Sequence, residues 1–354
     1  MANGIAIGPD HRNSRAHPGS PTRLKTACRF REGCGGEGAT IAIAVVKRSI
    51  PGALSICLAA TLWGLDGVVL TPRLFNLSVP FVVFLLHLIP FTLMQPVLFR
   101  TYGALRRLKI EDWVTLTLVA LCGGILGTFS IVKALFLVDF NQLSVVVLLQ
   151  KLQPVFAIVL AGILLGERVT RRFLAWASLA IVGAYFLTFG MRLPEIGAGS
   201  STTMAATWAA VAAAAFGSAT VFGKRLLESL DFRQATFARY GLTSLFASIY
   251  LLVGGAGLPF DTVTATNWQL ILVIGLTTGS GAIFLYYFGL SRVKASVSAI
   301  CELCLPMSAI VFDYLVNGSV LGPWQWAGAA TLILAIFKVS VRPKASTREP
   351  APEK

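Results

Sequence analysis

Charge is what this sequence has least of. Charged residues fill 13% of its 354 positions, about half the share usual in a soluble domain. That is too little to solvate a globular surface, which argues against a water-soluble enzyme or binding domain. Acid is scarcer still: 16 Asp and Glu stand against 30 Lys and Arg, a formal net charge of +14. A basic balance invites nucleic acid, but the basic residues sit near the two ends of the chain and in alternate short connections, not on one face. No nucleic-acid partner is expected. Of three histidines, His11 and His17 are near the N-terminus and His87 is alone in an apolar run, so neither a metal site nor a cofactor is expected. Cys301-x-x-Cys304 has redox or zinc spacing, yet no second ligand pair accompanies it. It reads as two small apolar residues on a helix. No Walker lysine loop, GxSxG elbow or HExxH pair is present, which removes ATP drive and the commonest hydrolases.

Apolar residues are abundant, at 55% with a mean hydropathy of +0.74. They gather in blocks near residues 50–72, 79–99, 113–137, 142–165, 173–190, 204–223, 236–257, 267–290, 295–316 and 323–340. Each has about the length a helix needs to cross roughly 30 Å of hydrocarbon. The runs are unbroken, not alternating, which excludes a membrane β-barrel. Basic residues mark every second connection: Arg100, Arg106, Arg107 and Lys109 after span two, Arg168, Arg171 and Arg172 after span four, Lys224, Arg225 and Arg233 after span six, Arg292 and Lys294 after span eight. By the positive-inside rule the pattern predicts an all-α membrane protein of ten transmembrane helices in an inner (plasma) membrane, with both termini cytoplasmic. Residues 1–48, rich in Gly, Arg, Pro and Ser, are expected to be a disordered basic tail, and 342–354 a cytoplasmic C-terminal tail.

The second half echoes the first at an offset of about 152 residues. Pro154 matches Pro306, Ser144 matches Ser296, Gly166 matches Gly318, and Gly123-x3-Gly127 matches Gly275-x3-Gly279. Gly64 matches Gly217 with a one-residue shift. Five spans per half is an odd number, so the halves (49–191 and 202–341) should enter the bilayer in opposite senses. Inverted repeats of this kind characterise secondary transporters.

Three stretches carry a family resemblance: "AATLWGLDG" in span one, "LQKLQPVFAIVLAGILLGERVT" across spans four and five, and "ICELCLPMSAIVFDYLVNGSVLGPWQWAGAA" across spans nine and ten. Over about residues 50–340 the chain resembles the EamA-like family of the drug/metabolite transporter superfamily. The resemblance implies a 5+5 helical fold that moves small metabolites without ATP. Two departures stand out. Asn317–Val320 reads "NGSV" where a "GE" is usual, and Lys151 stands where relatives carry an apolar residue.

Charges inside the spans are the candidate site. Lys151 lies about ten residues into span four, roughly 15 Å deep, where a lysine costs about 2.5–3.5 kcal/mol to insert. Glu302, four residues before Pro306, lies near the repeat-equivalent position. The two are expected to face one cavity, either paired or binding opposite ends of a zwitterion. Asp66 and Lys133 form a candidate outer gate pair, with Asp66 or Glu302 as a proton-coupling carboxyl. Trp63, His87, Asn141, Gln150, Tyr286 and Tyr287 are further lining candidates. Pro154 and Pro306 interrupt the helical hydrogen bonds and are candidate hinges. The functional expectation is an alternating-access permease for a small solute, an amino acid or related zwitterion first, working as an exporter. Organic-cation efflux is the second reading, and a membrane scaffold or lipid-modifying enzyme the third.

Overall fold

The computed structural model of the chain describes residues 34–341 apart from 75, 138–145, 147–148, 194–199, 255–256 and 319. Among the described residues every regular element is helical. Helical backbone begins at Cys34, inside the stretch that composition assigns to a tail. The segment "ATIAIAVVKR" there contains no Gly or Pro to stop it.

Among the described residues eight helices are long and apolar enough to cross a membrane: α1 (Ser49–Leu74), α2 (Val79–Leu98), α3 (Ile110–Ala134), α5 (Arg171–Phe189), α6 (Thr203–Leu226), α7 (Phe232–Val253), α8 (Ala265–Leu290) and α9 (Ala295–Val316). Between and after them lie a shorter apolar helix, α4 (Gln153–Leu164), and α10 (Pro323–Ser340). Length and apolarity therefore mark eight crossings, not the expected ten. Most of 142–148, the expected start of span four, lies outside the described residues, as do Asn141 and Ser144. The apolar character of α10 is diluted by its opening Pro-Trp-Gln-Trp and by Lys338.

Helix pairing follows the repeat. Counting five helices forward, α2 packs on its own equivalent α7, α4 on α9, and α5 on α10. The remaining contacts come in exchanged pairs. Helix α3 packs on α6, while α1 meets α8 through Gly52 beside Gly289 and through the Ser55 hydroxyl, which donates to Leu285 O at 2.7 Å. A Cβ added at Gly64 of α1 would lie 2.9 Å from Leu305 O and 2.8 Å from Ala309 N of α9. A Cβ added at Gly217 of α6 would lie 2.8 Å from Gln153 O and 3.0 Å from Ala157 N of α4. Gln153 and Ala157 are the repeat-equivalents of Leu305 and Ala309. Each half thus presses the same glycine against the same backbone of the other, the signature of a twofold exchange. Without a hydrophobic drive between helices in lipid, close backbone approach through small residues is the main source of packing energy.

The loops after α4 and α9 both turn on a glycine in the left-handed region, Gly166 (φ +60°) and Gly318 (φ +71°), where any Cβ would be strained. Beyond Gly166 stands Glu167. Its carboxylate accepts from Ala295 N at 2.7 Å, Ser296 N at 3.1 Å and the Ser296 hydroxyl at 2.6 Å. The "GE" of the first half therefore caps the N-terminus of α9 in the second, where free N–H groups and the helix dipole favour an anion.

Single substitutions test this scaffold. Gly64→Ala and Gly217→Ala should each lower apparent unfolding stability in detergent by about 1–3 kcal/mol, because the obstructing atoms are backbone. Gly103→Ala, with open space around it, should change nothing. Glu167→Ala should cost about 1–3 kcal/mol, with hydrogen exchange accelerated in the amides of Ala295–Cys301.

Candidate functional site

A turn stands just before Pro154, at the start of α4, and another just before Pro306, within α9. Helical hydrogen bonding gives way to turns at Lys151–Leu152 and at Glu302–Leu303. Three-residue bonds bridge the interruptions: Leu152 N to Leu149 O at 3.0 Å and Val155 N to Leu152 O at 2.9 Å, then Leu303 N to Ile300 O at 3.2 Å and Leu305 N to Glu302 O at 3.0 Å. A proline supplies no N–H to the residue four before it. The interruption in α9 places the Glu302 side chain among four helices.

Four neutral donors surround that carboxylate. On Oε1 converge the Thr220 hydroxyl from α6 (3.2 Å), the Tyr286 hydroxyl from α8 (3.0 Å) and the Ser298 hydroxyl from α9 (3.2 Å). Gln153 Nε2 from α4 donates to Oε2 at 2.8 Å. Tyr286 also lies 2.9 Å from Thr220 Oγ1 and packs against Trp63 of α1, ring centroids 5.4 Å apart. Dipoles of this kind hold a carboxylate in an apolar interior without neutralising it.

Lys151 is buried, 7% exposed, and makes no hydrogen bond or ion pair among the described residues. The expected direct pairing with Glu302 is therefore not formed in this conformation, since neutral hydroxyls and an amide take the carboxylate's lone pairs. Gln150 Nε2 donates to Ala209 O at 3.0 Å and so ties the chain to α6; it does not reach Glu302. Nor does the structure bring Asp66 and Lys133 together. Asp66 accepts from the Thr71 hydroxyl at 3.1 Å, within a π-helical turn, Asp66–Leu70. Lys133 lies over the Trp208 ring, 4.7 Å from its centroid, and 5.9 Å from that of Phe129, a cation–π arrangement that satisfies it locally.

His87 donates through Nδ1–H to Val83 O at 2.8 Å and stacks on Tyr240, ring centroids 5.0 Å apart. Next to Tyr240 is a residue that span hydropathy alone does not flag. Arg239 of α7 is 9% exposed, and its guanidinium donates through Nη2 to Gly123 O at 3.2 Å. Gly123 belongs to a π-helical stretch of α3, Leu121–Leu126, and its equivalent Gly275 opens another in α8, Gly275–Gly279. Such bulges concentrate at functional positions. Arg239 is the repeat-equivalent of His87, a correspondence present in the sequence. Thr220, Ser298 and Gln153 carry no comparable signal, being polar residues of ordinary type within spans. A cavity of about 350 Å³ lies apart from this layer, between α2, α3 and α7, and is lined by apolar side chains such as Val83, Ile125 and Phe129.

The polar layer thus draws on α1, α2, α4, α6, α7, α8 and α9, and among the described residues Glu302, Lys151 and Arg239 form no ion pair with one another. It can hold an organic molecule through aromatic faces, hydroxyls and opposite charges; it holds no described nucleophile–base pair.

The sequence profile of the EamA-like transporter family matches residues 50–189 and again residues 203–341. Among characterised proteins, the riboflavin transporter ImpX of Fusobacterium nucleatum subsp. nucleatum is 52% identical over 293 residues, 82% of this chain and 98% of that protein. The uncharacterized transporter sll1164 of Synechocystis is 27% identical over 65% of this chain and 66% of its own length. A crystal structure superposes with a TM-score of 0.63 at 17% identity, covering 82% of this chain and 95% of that chain, a likeness of fold alone. The protein is a membrane transporter of a small solute and not an enzyme. With both halves matched by one profile, the chain belongs to the EamA-like transporter family.

Proposed function

We propose that this protein carries riboflavin, or a flavin closely related to it, across the inner membrane by alternating access. The observation that carries the reading is the 52% identity that runs through 98% of a riboflavin transporter. The polar layer fits such a solute. Riboflavin is an uncharged molecule with a flat tricyclic ring, a pyrimidinedione edge and a polyhydroxyl ribityl chain. Trp63 and Tyr286 offer aromatic faces for the ring. Glu302 and its hydroxyl neighbours exchange hydrogen bonds readily with hydroxyl groups. This reading takes the place of the zwitterion expected from the two opposite central charges, on the strength of the likeness to a riboflavin transporter.

For the transport cycle we propose ten crossings in two five-helix halves of opposite orientation, with both termini cytoplasmic. The alternation of Lys and Arg between connections supports it, and so do the exchanged glycine contacts. Pro154 and Pro306 act as hinges, where the helices are already interrupted. Glu302 or Asp66 is the group through which protons would couple to the solute.

Purified protein in liposomes should exchange riboflavin without ATP, and flux from each side, with and without a pH gradient, gives direction and coupling. Glu302→Ala should slow flux by about tenfold or more, the scale of a hydrogen bond to a charged group. A folded protein that moves amino acids but no flavin would overturn the assignment. A double-mutant cycle on apparent unfolding stability with Lys151→Met and Glu302→Gln should be additive within about 0.5 kcal/mol. Coupling beyond about 1 kcal/mol would mean that the two charges meet directly in the unliganded protein.

A further inference from the structure

We infer that Arg239, together with the Tyr287 hydroxyl, forms the part of the central site that takes the carbonyl edge of the flavin's pyrimidinedione ring; the inference rests on the flavin reading above.

Among the described residues Arg239 is a buried cation without a counter-ion. The described carboxylates nearest the polar layer are occupied elsewhere, Glu302 by four neutral donors and Asp66 by Thr71. A guanidinium has five N–H donors in a planar fork. Here Nη2 reaches Gly123 O, and Nε has no partner. A charge in a membrane interior is retained against a cost of several kcal/mol, so what is missing is an acceptor.

Two other donors around it are also unspent. Tyr287 is fully buried, and the Arg239 guanidinium lies 5.9 Å from its ring centroid, yet its hydroxyl makes no hydrogen bond. Thr243, one helical turn beyond Arg239 on the same face of α7, is fully buried with a hydroxyl that has no partner either. Buried polar groups are nearly always satisfied, and a cluster of orphans calls for an explanation. Each of these groups can donate a hydrogen bond, and the guanidinium can only donate. Tyr287 is next in sequence to Tyr286, their rings 5.6 Å apart, so the donors adjoin the Glu302 end of the layer. A flavin lying across Tyr286 has hydroxyls at one end for the carboxylate and carbonyl oxygens at the other for the guanidinium. A small free anion offers the same acceptor chemistry, and the experiment separates the two.

Binding is measured on purified full-length protein by ligand fluorescence and thermal shift. The probes are riboflavin, lumichrome (which keeps the pyrimidinedione but lacks the ribityl chain), sodium phosphate and sodium chloride. Arg239→Gln should weaken riboflavin and lumichrome by the same factor, about tenfold or more. Arg239→Lys, which keeps the charge but not the fork, should recover part of that loss. Tyr287→Phe removes a single oxygen and should weaken both flavins several-fold, a test that stands if Arg239→Gln fails to fold. Thermal stability of ligand-free Arg239→Gln should equal or exceed that of the parent, because an unpaired buried cation is lost. A loss of stability with unchanged flavin affinity would overturn the inference in favour of a structural arginine bound to Gly123. Weakened riboflavin with unchanged lumichrome would overturn it too, placing Arg239 at the ribityl chain. Stabilisation of the parent by phosphate or chloride, absent in Arg239→Gln while flavin affinity holds, would identify a free-anion site instead. Failure of the parent to bind either flavin would overturn the flavin reading and this inference together.

Discussion

A carboxylate inside an apolar helical bundle must be compensated, and the architecture of this transporter centres on how Glu302 is. Its lone pairs are taken by Gln153, Thr220, Tyr286 and Ser298, contributed by α4, α6, α8 and α9. None of these donors is charged, so the lone pairs are satisfied by dipoles and not by a counter-ion. Four helices from both halves of the chain are thereby tied to one atom pair. Such a knot gives the bundle a defined centre, and it can be rearranged by exchanging one hydroxyl partner for another at little cost. A salt bridge at the same place would resist exchange, because leaving either charge unpaired in low dielectric is strongly unfavourable.

That centre depends on helices that approach each other closely. The exchanged contacts of Gly64 with α9 and Gly217 with α4 bring backbone against backbone. They set α9 against α1, and α4 against α6, which carries the donor Thr220. The Glu167 carboxylate on the N-terminus of α9 fixes the same helix at one end. Packing through small residues, the interruption at the prolines and the donor shell of Glu302 are thus one structural arrangement described at three levels.

The sequence made the helical character, the two-part repeat and Glu302 legible, because each has a strong local signal: apolar run length, recurring Gly and Pro, a lone acid within a span. Trp63 and Tyr286 were readable as aromatics near that acid. Arg239 was not, since it falls four residues into the expected span 236–257, where a basic side chain reads as belonging to the interface. Only its register with His87 across the repeat distinguishes it. The pairing of Lys151 with Glu302, and of Asp66 with Lys133, failed for a different reason. Opposite sign and similar depth leave the azimuth of each side chain undetermined, and local partners (neutral donors for Glu302, the Trp208 ring for Lys133, the Thr71 hydroxyl for Asp66) are closer than any remote charge. The start of span four was legible only as an apolar run, because hydropathy does not register the turn at Lys151–Leu152 that precedes α4.

The repeat separates what must be symmetric from what must not. Positions that shape backbone agree between the halves: Pro154 and Pro306, Gly166 and Gly318, the π-helical glycines of α3 and α8. Positions that carry chemistry disagree. At the same offset His87 faces Arg239, Gln150 corresponds to Glu302, Lys151 to Leu303 and Glu167 to Ser319. A twofold backbone lets two halves exchange roles in opening to either side, since each conformation of one half has a counterpart in the other. A solute without twofold symmetry, however, cannot be recognised by symmetric walls: every donor placed for one of its edges would be duplicated where an acceptor is needed. Divergence of side chains upon a conserved backbone resolves that conflict, and it explains why the unpaired acid and the unpaired guanidinium both come from the second half.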